Sequence, residues 1–209
     1  MRTRTLLALA AALALGAPSA ASADLWSLSL TVWGGRQYSN VLTAKQDLAS
    51  FSSKDVIDGR FNTWGTQALA RIAMFDAGLL FEGGFPGSGP KSGVVTPVFG
   101  VNWSFPIVRL DLLGEFGGHR VTNIGQSDEF TAASTQTTWL PQAGLRFGVS
   151  LRAPMGPVGL VLTMTPYARW DLARKTVTVP GAGADAGSFR YYSVGGATYG
   201  VIGGIGIEI

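Results

Sequence analysis

The chain has 209 residues, no cysteine, 16 basic residues against 13 acidic ones, and a formal net charge of +3. The missing cysteines exclude a disulfide framework and a thiolate metal site, and no stretch gathers Lys and Arg as a nucleic-acid surface does, so nucleic acid is not expected as a partner. Glycine at 29 residues with 14% charged side chains suits close-packed strands better than soluble helices, because glycine disfavours helix interiors.

At the N-terminus, Arg2 and Arg4 precede the apolar run LLALAAALALGA and the small residues Ala21-Ser22-Ala23, the arrangement of a secretory signal peptide. The apolar run is too short to span a bilayer, which takes about 20 residues. Cleavage after Ala23 is expected, giving a removed segment 1–23 and one domain over 24–209, with no cysteine at the junction to carry a lipid. Arg2 and Arg4 supply two of the three net positive charges, so the remainder is close to neutral.

Beyond Ala23 the pattern has period two, the spacing of a half-apolar strand. Trp26, Leu28, Leu30 and Val32 share one face against Ser27, Ser29 and Thr31. From Trp64 to Phe75, Ala68, Ala70, Ile72 and Met74 oppose Gln67 and Arg71. With a turn predicted at Asp76-Ala77-Gly78, Leu79, Phe81 and Phe85 then oppose Leu80 and Glu82. Val95, Phe99, Val101, Trp103 and Phe105 form the fourth apolar face, interrupted by Pro97, which removes a ladder donor. A turn at Pro106-Ile107 leads to Val108, Leu110, Leu112 and Phe116 against Arg109, Asp111 and Glu115.

Ala143, Leu145, Phe147, Val149 and Leu151 next oppose Gln142, Gly144, Arg146 and Ser150, and RAPMGP turns the chain. Leu160, Leu162, Met164, Ala168 and Trp170 then oppose Thr163, Thr165, Tyr167, Arg169 and Asp171. In the final strand Tyr199, Val201, Ile205, Ile207 and Ile209 oppose Thr198, Gly200, Gly204, Gly206 and Glu208. The long uncharged stretches are not spanning helices. Tyr191–Ile207 carries six glycines, and Ala153–Ala168 carries three prolines and two glycines.

Eight such strands are the length that tilted membrane-crossing strands need. Short connections around Asp76, Pro106 and Met155 alternate with longer ones at 35–63, 86–93, 119–137 and 172–195. That alternation predicts an all-β, eight-stranded antiparallel up-and-down transmembrane β-barrel with both termini on the short-turn, periplasmic side. A soluble barrel has the opposite sidedness, with its apolar face inward. Charge placement favours the membrane form. The polar faces carry Arg71, Glu82, Arg109, Asp111, Glu115, Arg146, Arg169, Asp171 and Glu208, whereas Lys45, Lys54, Lys91 and Lys175 fall in predicted loops. An enclosed lumen favours Arg paired with carboxylates, so these nine are expected to form a neutralising network that plugs it. Gly100, Gly144, Gly148, Gly200 and Gly204 are expected to leave room for the arginines. Trp26, Phe105, Trp139 and Trp170, near strand ends, are expected in the interfacial girdles.

In this pattern the chain resembles the small outer-membrane barrels typified by the transmembrane domains of outer membrane proteins A and X. The resemblance is architectural and brings no active-site motif. The terminal strand YGVIGGIGIEI is similar to the alternating C-terminal signal of such proteins, but Ile209 stands where the family usually has an aromatic residue. The resemblance implies an outer-membrane location in a Gram-negative-type envelope. It also implies contact with outer-membrane lipids and lipopolysaccharide, insertion by the barrel-assembly machinery, and ligands reached through the external loops. No peptidoglycan-binding domain is expected after the barrel.

His119, the only histidine, is predicted at the mouth of a loop and solvated. GGHRVTN lacks the His-x-Ser spacing of outer-membrane lipid A deacylases, which use Ser, His and Glu, so no enzymatic activity is expected. Asp128-Glu129 is a weak calcium candidate without ligand spacing, and the terminal glycines open no helix as a dinucleotide fingerprint must. No metal or cofactor is expected. The reading is a non-enzymatic plugged barrel acting as envelope scaffold or through surface loops. The alternatives are a narrow channel for small solutes or apolar molecules and, third, a lipid A-modifying enzyme.

Overall fold

The period-two pattern becomes a closed sheet in the computed structural model, which describes residues 26–44, 57–84, 89–125, 132–155 and 157–209. The strands are β1 (Trp26–Ala44), β2 (Ile57–Ile72), β3 (Phe75–Gly84), β4 (Lys91–Ser104), β5 (Val108–Ile124), β6 (Gln136–Met155), β7 (Val158–Asp171), β8 (Lys175–Pro180), β9 (Phe189–Val194) and β10 (Ala197–Glu208). Every neighbour pair is antiparallel. β1 to β7 follow one another in order, β10 joins β7, and β10 pairs with β1 from Ser29↔Glu208 to Ser39↔Thr198, which closes a ring of eight. Closure removes the unpaired edges that an open sheet would present. The expected signal segment lies outside the described residues.

Side chains sort as the pattern requires, with the apolar face outward. Trp26, Leu28, Leu30 and Val32 are 45–64% exposed, while Ser29 between them is buried. Leu145, Phe147 and Leu151 on β6 and Leu162, Met164 and Trp170 on β7 are likewise exposed, and Arg146 and Arg169 are 1% exposed. A polar core beneath an apolar exterior is the sidedness of a barrel in lipid.

Three connections differ from the sequence expectation. Asp76, Ala77 and Gly78 are not a turn but part of β3, paired with Arg71, Ala70 and Leu69. The turn is Ala73-Met74, with Ala73 at φ 53°. Nothing in the side chain of alanine advertises that conformation, which glycine usually takes. Second, β1 and β2 run well into the region predicted as the first long loop, and β5 extends to Ile124. Lys91 and Lys175 accordingly start strands, whereas Lys45 and Lys54 lie outside the described residues, as does Asp128-Glu129.

Third, the predicted fourth loop contains the β8–β9 hairpin, whose tip carries a 3-10 turn at Gly183–Asp185. β9 pairs with the end of β1 through Leu42↔Val194 to Ala44↔Tyr192. A register shift between Asn40 and Leu42 turns both Val41 and Leu42 inward, as a bulge can. They pack with Ile57, Phe61, Val121, Ile124, Leu140, Val179, Tyr192 and Val194 into an apolar cluster at the loop end of the barrel.

Candidate functional site

Inward parity on six of the eight ring strands delivers the charged side chains to one lumen, and strand register divides them into layers. In the layer nearer the loops, Glu115 on β5 faces Gly144 on β6, and Gly144 faces Arg169 on β7. A Cβ at Gly144 would lie 2.7 Å from Arg169 Cγ and 3.2 Å from Glu115 Oε2. Glycine there lets Arg169 reach over β6, and its Nε donates to Glu115 Oε2 at 2.6 Å. Its Nη2 reaches Glu82 Oε2 at 2.5 Å on the far wall. Arg146 completes the square through Nη2 to Glu82 Oε2 at 3.3 Å and a close contact of Nε with Glu115 Oε1. Two guanidiniums thus meet two carboxylates, all essentially removed from solvent.

Aromatic faces fill the rest of this layer. Arg146 lies 5.3 Å from the Trp33 ring centroid and 5.1 Å from that of Tyr167, and Arg169 lies 4.4 Å from Tyr167. Cation–π contact suits a desolvated guanidinium. The Tyr167 hydroxyl has two acceptors within reach of its one proton, Gln37 Oε1 and, at 3.2 Å, Glu82 Oε1.

The layer nearer the chain ends centres on Glu208. Arg109 donates to both its oxygens at 2.7 Å, Arg152 Nη2 to Oε1 at 2.6 Å, and Arg71 Nη1 lies 3.6 Å from Oε2. Arg71 Nε also meets Asp76 Oδ1 at 3.2 Å, which accepts from Asn102 Nδ2 at 3.0 Å. Asp111 is 5% exposed in the same layer, but no ion pair within 4 Å joins it to a cation among the described residues. The sequence pattern does not single out Asp76, which reads as a turn residue, or Arg152, which falls in the apparent turn segment RAPMGP. A cavity of about 30 Å³ between the layers, lined by Trp33, Arg71, Asp111 and Thr165 among others, has room for about two waters and not for a solute.

Asp171 departs from the expected Arg network. Its Oδ1 accepts from His119 Nδ1 at 2.8 Å, and His119 Nε2 lies 2.8 Å from Ser92 Oγ. His119 is not a solvated loop residue: it sits in β5 at even spacing from Glu115 and is 1% exposed. Ser, His and Asp are joined here in the order of a nucleophile relay. Ser92 is 9% exposed, however, and the layer lies between the charged square and the apolar cluster of Val121 and Leu140.

The glycines do less for the arginines than expected. Gly144 makes room for Arg169, but Gly204 accommodates Trp33, Gly148 accommodates Asp111, and Gly100 and Gly200 meet the backbones of Leu112 and Arg36. Trp26, Trp139 and Trp170 point outward, with Trp26 at the chain-end side and the other two toward the loops, whereas Phe105 is half-buried in its turn. Among the described residues no cluster of three or more His, Cys, Asp or Glu could hold a metal, and no helix is long and apolar enough to cross a membrane.

Strand order, register and the inverted sidedness define an eight-stranded antiparallel transmembrane barrel with a charge-filled lumen. No protein-family model matches the chain, and no curated protein matches it. Among solved structures, the translocator domain of autotransporter NalP from Neisseria meningitidis aligns over 99% of this chain and 94% of that one, at 13% identity and a TM-score of 0.19. That score is too low to transfer anything from it.

Proposed function

We propose that the protein is a non-enzymatic, non-conducting barrel of the outer membrane that acts as an envelope scaffold or through surface contacts of its loops. The observation that carries this reading is the square of Glu82, Glu115, Arg146 and Arg169, which ties β3 to β5, β6 and β7 across the lumen. An ion path would have to break buried pairs, and separating one leaves an uncompensated buried charge. The apolar cluster above adds a second seal. Insertion through the barrel-assembly machinery belongs to this reading, as does an outer-membrane address.

Planar-bilayer recording of the refolded protein tests the plug: a quiet membrane is expected, and reproducible single-channel steps would favour the narrow-channel alternative. Location is tested by fractionation and a semi-native gel, where a folded barrel migrates differently before and after boiling. The Ser92–His119–Asp171 relay supports a second reading, acyl transfer on a lipid such as lipid A. Its sealed position argues against that. Under the first reading a fluorophosphonate probe leaves Ser92 unlabelled and lipid A keeps its mass, whereas Ser92 labelling lost in His119→Ala would establish the second.

A further inference from the structure

Basic residues also stand on the outside of the barrel. Arg36, Arg60, Lys91, Arg120, Arg174 and Lys175 are all exposed and stand toward the loop end of the barrel. At the opposite end the arginines turn inward: Arg71 and Arg109 are buried, and Arg152 is half-buried on Glu208. The outer surface is thus polarised, with its cations on one side of the apolar band.

Three of these residues converge. On β5, Arg120 pairs across to Trp139 on β6, and its guanidinium lies 5.7 Å from the Trp139 ring centroid. Lys91 on β4 pairs with Thr122, two residues along β5, so it is the diagonal neighbour of Arg120 on the same outer face. Lys175 Nζ donates to the Trp139 carbonyl at 2.9 Å. Among the described residues no carboxylate shares the outer face of β4 to β7, since Asp111, Glu115 and Asp171 all point into the lumen.

Position selects the ligand. Outward residues from Leu151 to Trp139 on β6 run about 30 Å along the membrane normal for a strand tilted by roughly 40°, close to one hydrocarbon thickness. Trp139 therefore marks the loop-side interface, and Lys91, Arg120 and Lys175 stand at headgroup height. Long cationic stems lie along apolar surface and place their charge in that zone. A guanidinium there can grip a phosphate through two N–H groups, and an ammonium adds a point charge.

The geometry points to a binding site for the phosphate groups of an outer-leaflet phosphorylated lipid, of the lipid A type, formed by Lys91, Arg120 and Lys175 around Trp139. This assignment rests on the outer-membrane reading and names the lipid contact it entails. The sealed lumen takes no part in it.

The test uses the full refolded protein in neutral maltoside micelles, titrated with bisphosphorylated lipid A and with the same lipid after removal of both phosphates. The phosphorylated form is expected to bind about tenfold or more tightly at low salt, with the advantage shrinking as exposed charges are screened. The triple variant Lys91→Gln/Arg120→Gln/Lys175→Gln should lose most of that advantage. Arg36→Gln/Arg60→Gln, on β1 and β2, should keep it. Arg120→Lys alone should lose part, since it retains charge but not the fork.

Equal affinity for the two lipids, or an undiminished advantage in a triple variant that still shows the folded gel shift, overturns the site. A separate arm asks whether the wild-type protein inserts into phosphatidylcholine vesicles and shifts on heating. Failure there overturns the membrane reading and this inference together, while insertion without phosphate discrimination overturns the inference alone.

Discussion

The two ion-pair layers of the lumen use the same chemistry in different surroundings. Near the loops, Arg146, Arg169, Glu82 and Glu115 have side chains no more than 2% exposed. Near the chain ends, Arg71, Arg109 and Arg152 meet Asp76 and Glu208, Asp111 lies buried in the same layer outside those pairs, and the Arg152 side chain is 32% exposed. Each layer is neutral by count, so neither burdens the lumen with net charge. What differs is the access of water, and with it the cost of leaving one partner alone. A guanidinium lost from the sealed layer strands carboxylates that solvent cannot reach, whereas Arg152, unlike the buried Arg71 and Arg109 beside it, stands where water can take its place.

The largest effect should therefore come from Arg146→Leu, which leaves Glu82 and Glu115 sharing Arg169 alone. A loss of about 3–5 kcal/mol is expected, from the cost of breaking a buried pair from one side. Urea unfolding of the protein refolded in vesicles measures it, and an unchanged midpoint would break the view of the layer as a sealed plug. Gly144→Ala probes the same layer without removing a charge. Its methyl would sit against Arg169 Cγ and the Ala168 carbonyl, the latter at 2.8 Å, and backbone cannot swing aside. Overpacking of this kind costs about 1–3 kcal/mol, and Arg146→Leu in the Gly144→Ala background should show coupling because both act through Arg169 and Glu115.

At the open end, Arg152→Leu removes a partly hydrated partner from Glu208, which keeps both bonds from Arg109. The expected loss is under about 1 kcal/mol, in the range of solvent-screened pairs. A loss as large as that of Arg146→Leu would erase the distinction between the layers.

The layers were only partly legible in the sequence. Parity alone identified which side chains face inward, because strand side chains alternate without exception unless a bulge intervenes. It placed Arg109, Glu115, Arg146 and Arg169 on one surface, but it could not say that Asp111 would stand apart from the ion pairs or that Asp171 would bind His119. Those outcomes depend on register between strands 52 residues apart in the chain. His119 was hidden by its neighbours: Gly117 and Gly118 made GGHRV look like the start of a loop. Its even spacing from Asp111 and Glu115 was the usable signal. The β8–β9 hairpin left less trace, since KTVTVP and FRYYSV are short strands flanking a glycine-rich tip that read as a loop. The bulge at Asn40/Leu42 leaves no mark in composition at all.

The smallest expected effect lies outside both layers, and for that reason calibrates them. Ala73 holds φ 53° at the first central position of a two-residue hairpin turn, with Ile72 paired to Phe75. With no positive φ at Met74, this is the type II′ pattern, which places glycine at the first position. A Cβ in the left-handed region costs about 1–2 kcal/mol, and glycine forfeits about 0.4–1 kcal/mol through a freer unfolded chain. Ala73→Gly should then stabilise the barrel by about 0.5 kcal/mol. Nothing else need change, because the contacts of this turn run through backbone: Asn102 N donates to the Met74 carbonyl at 2.8 Å, and Asn102 Nδ2 reaches the Ala73 carbonyl at 3.5 Å. The same urea midpoint reads the gain. If Ala73→Gly also altered the penalty of Arg152→Leu, the turn and the open layer would be coupled through Asn102 and Asp76, and water access would not be the sole difference between the two ends of the lumen.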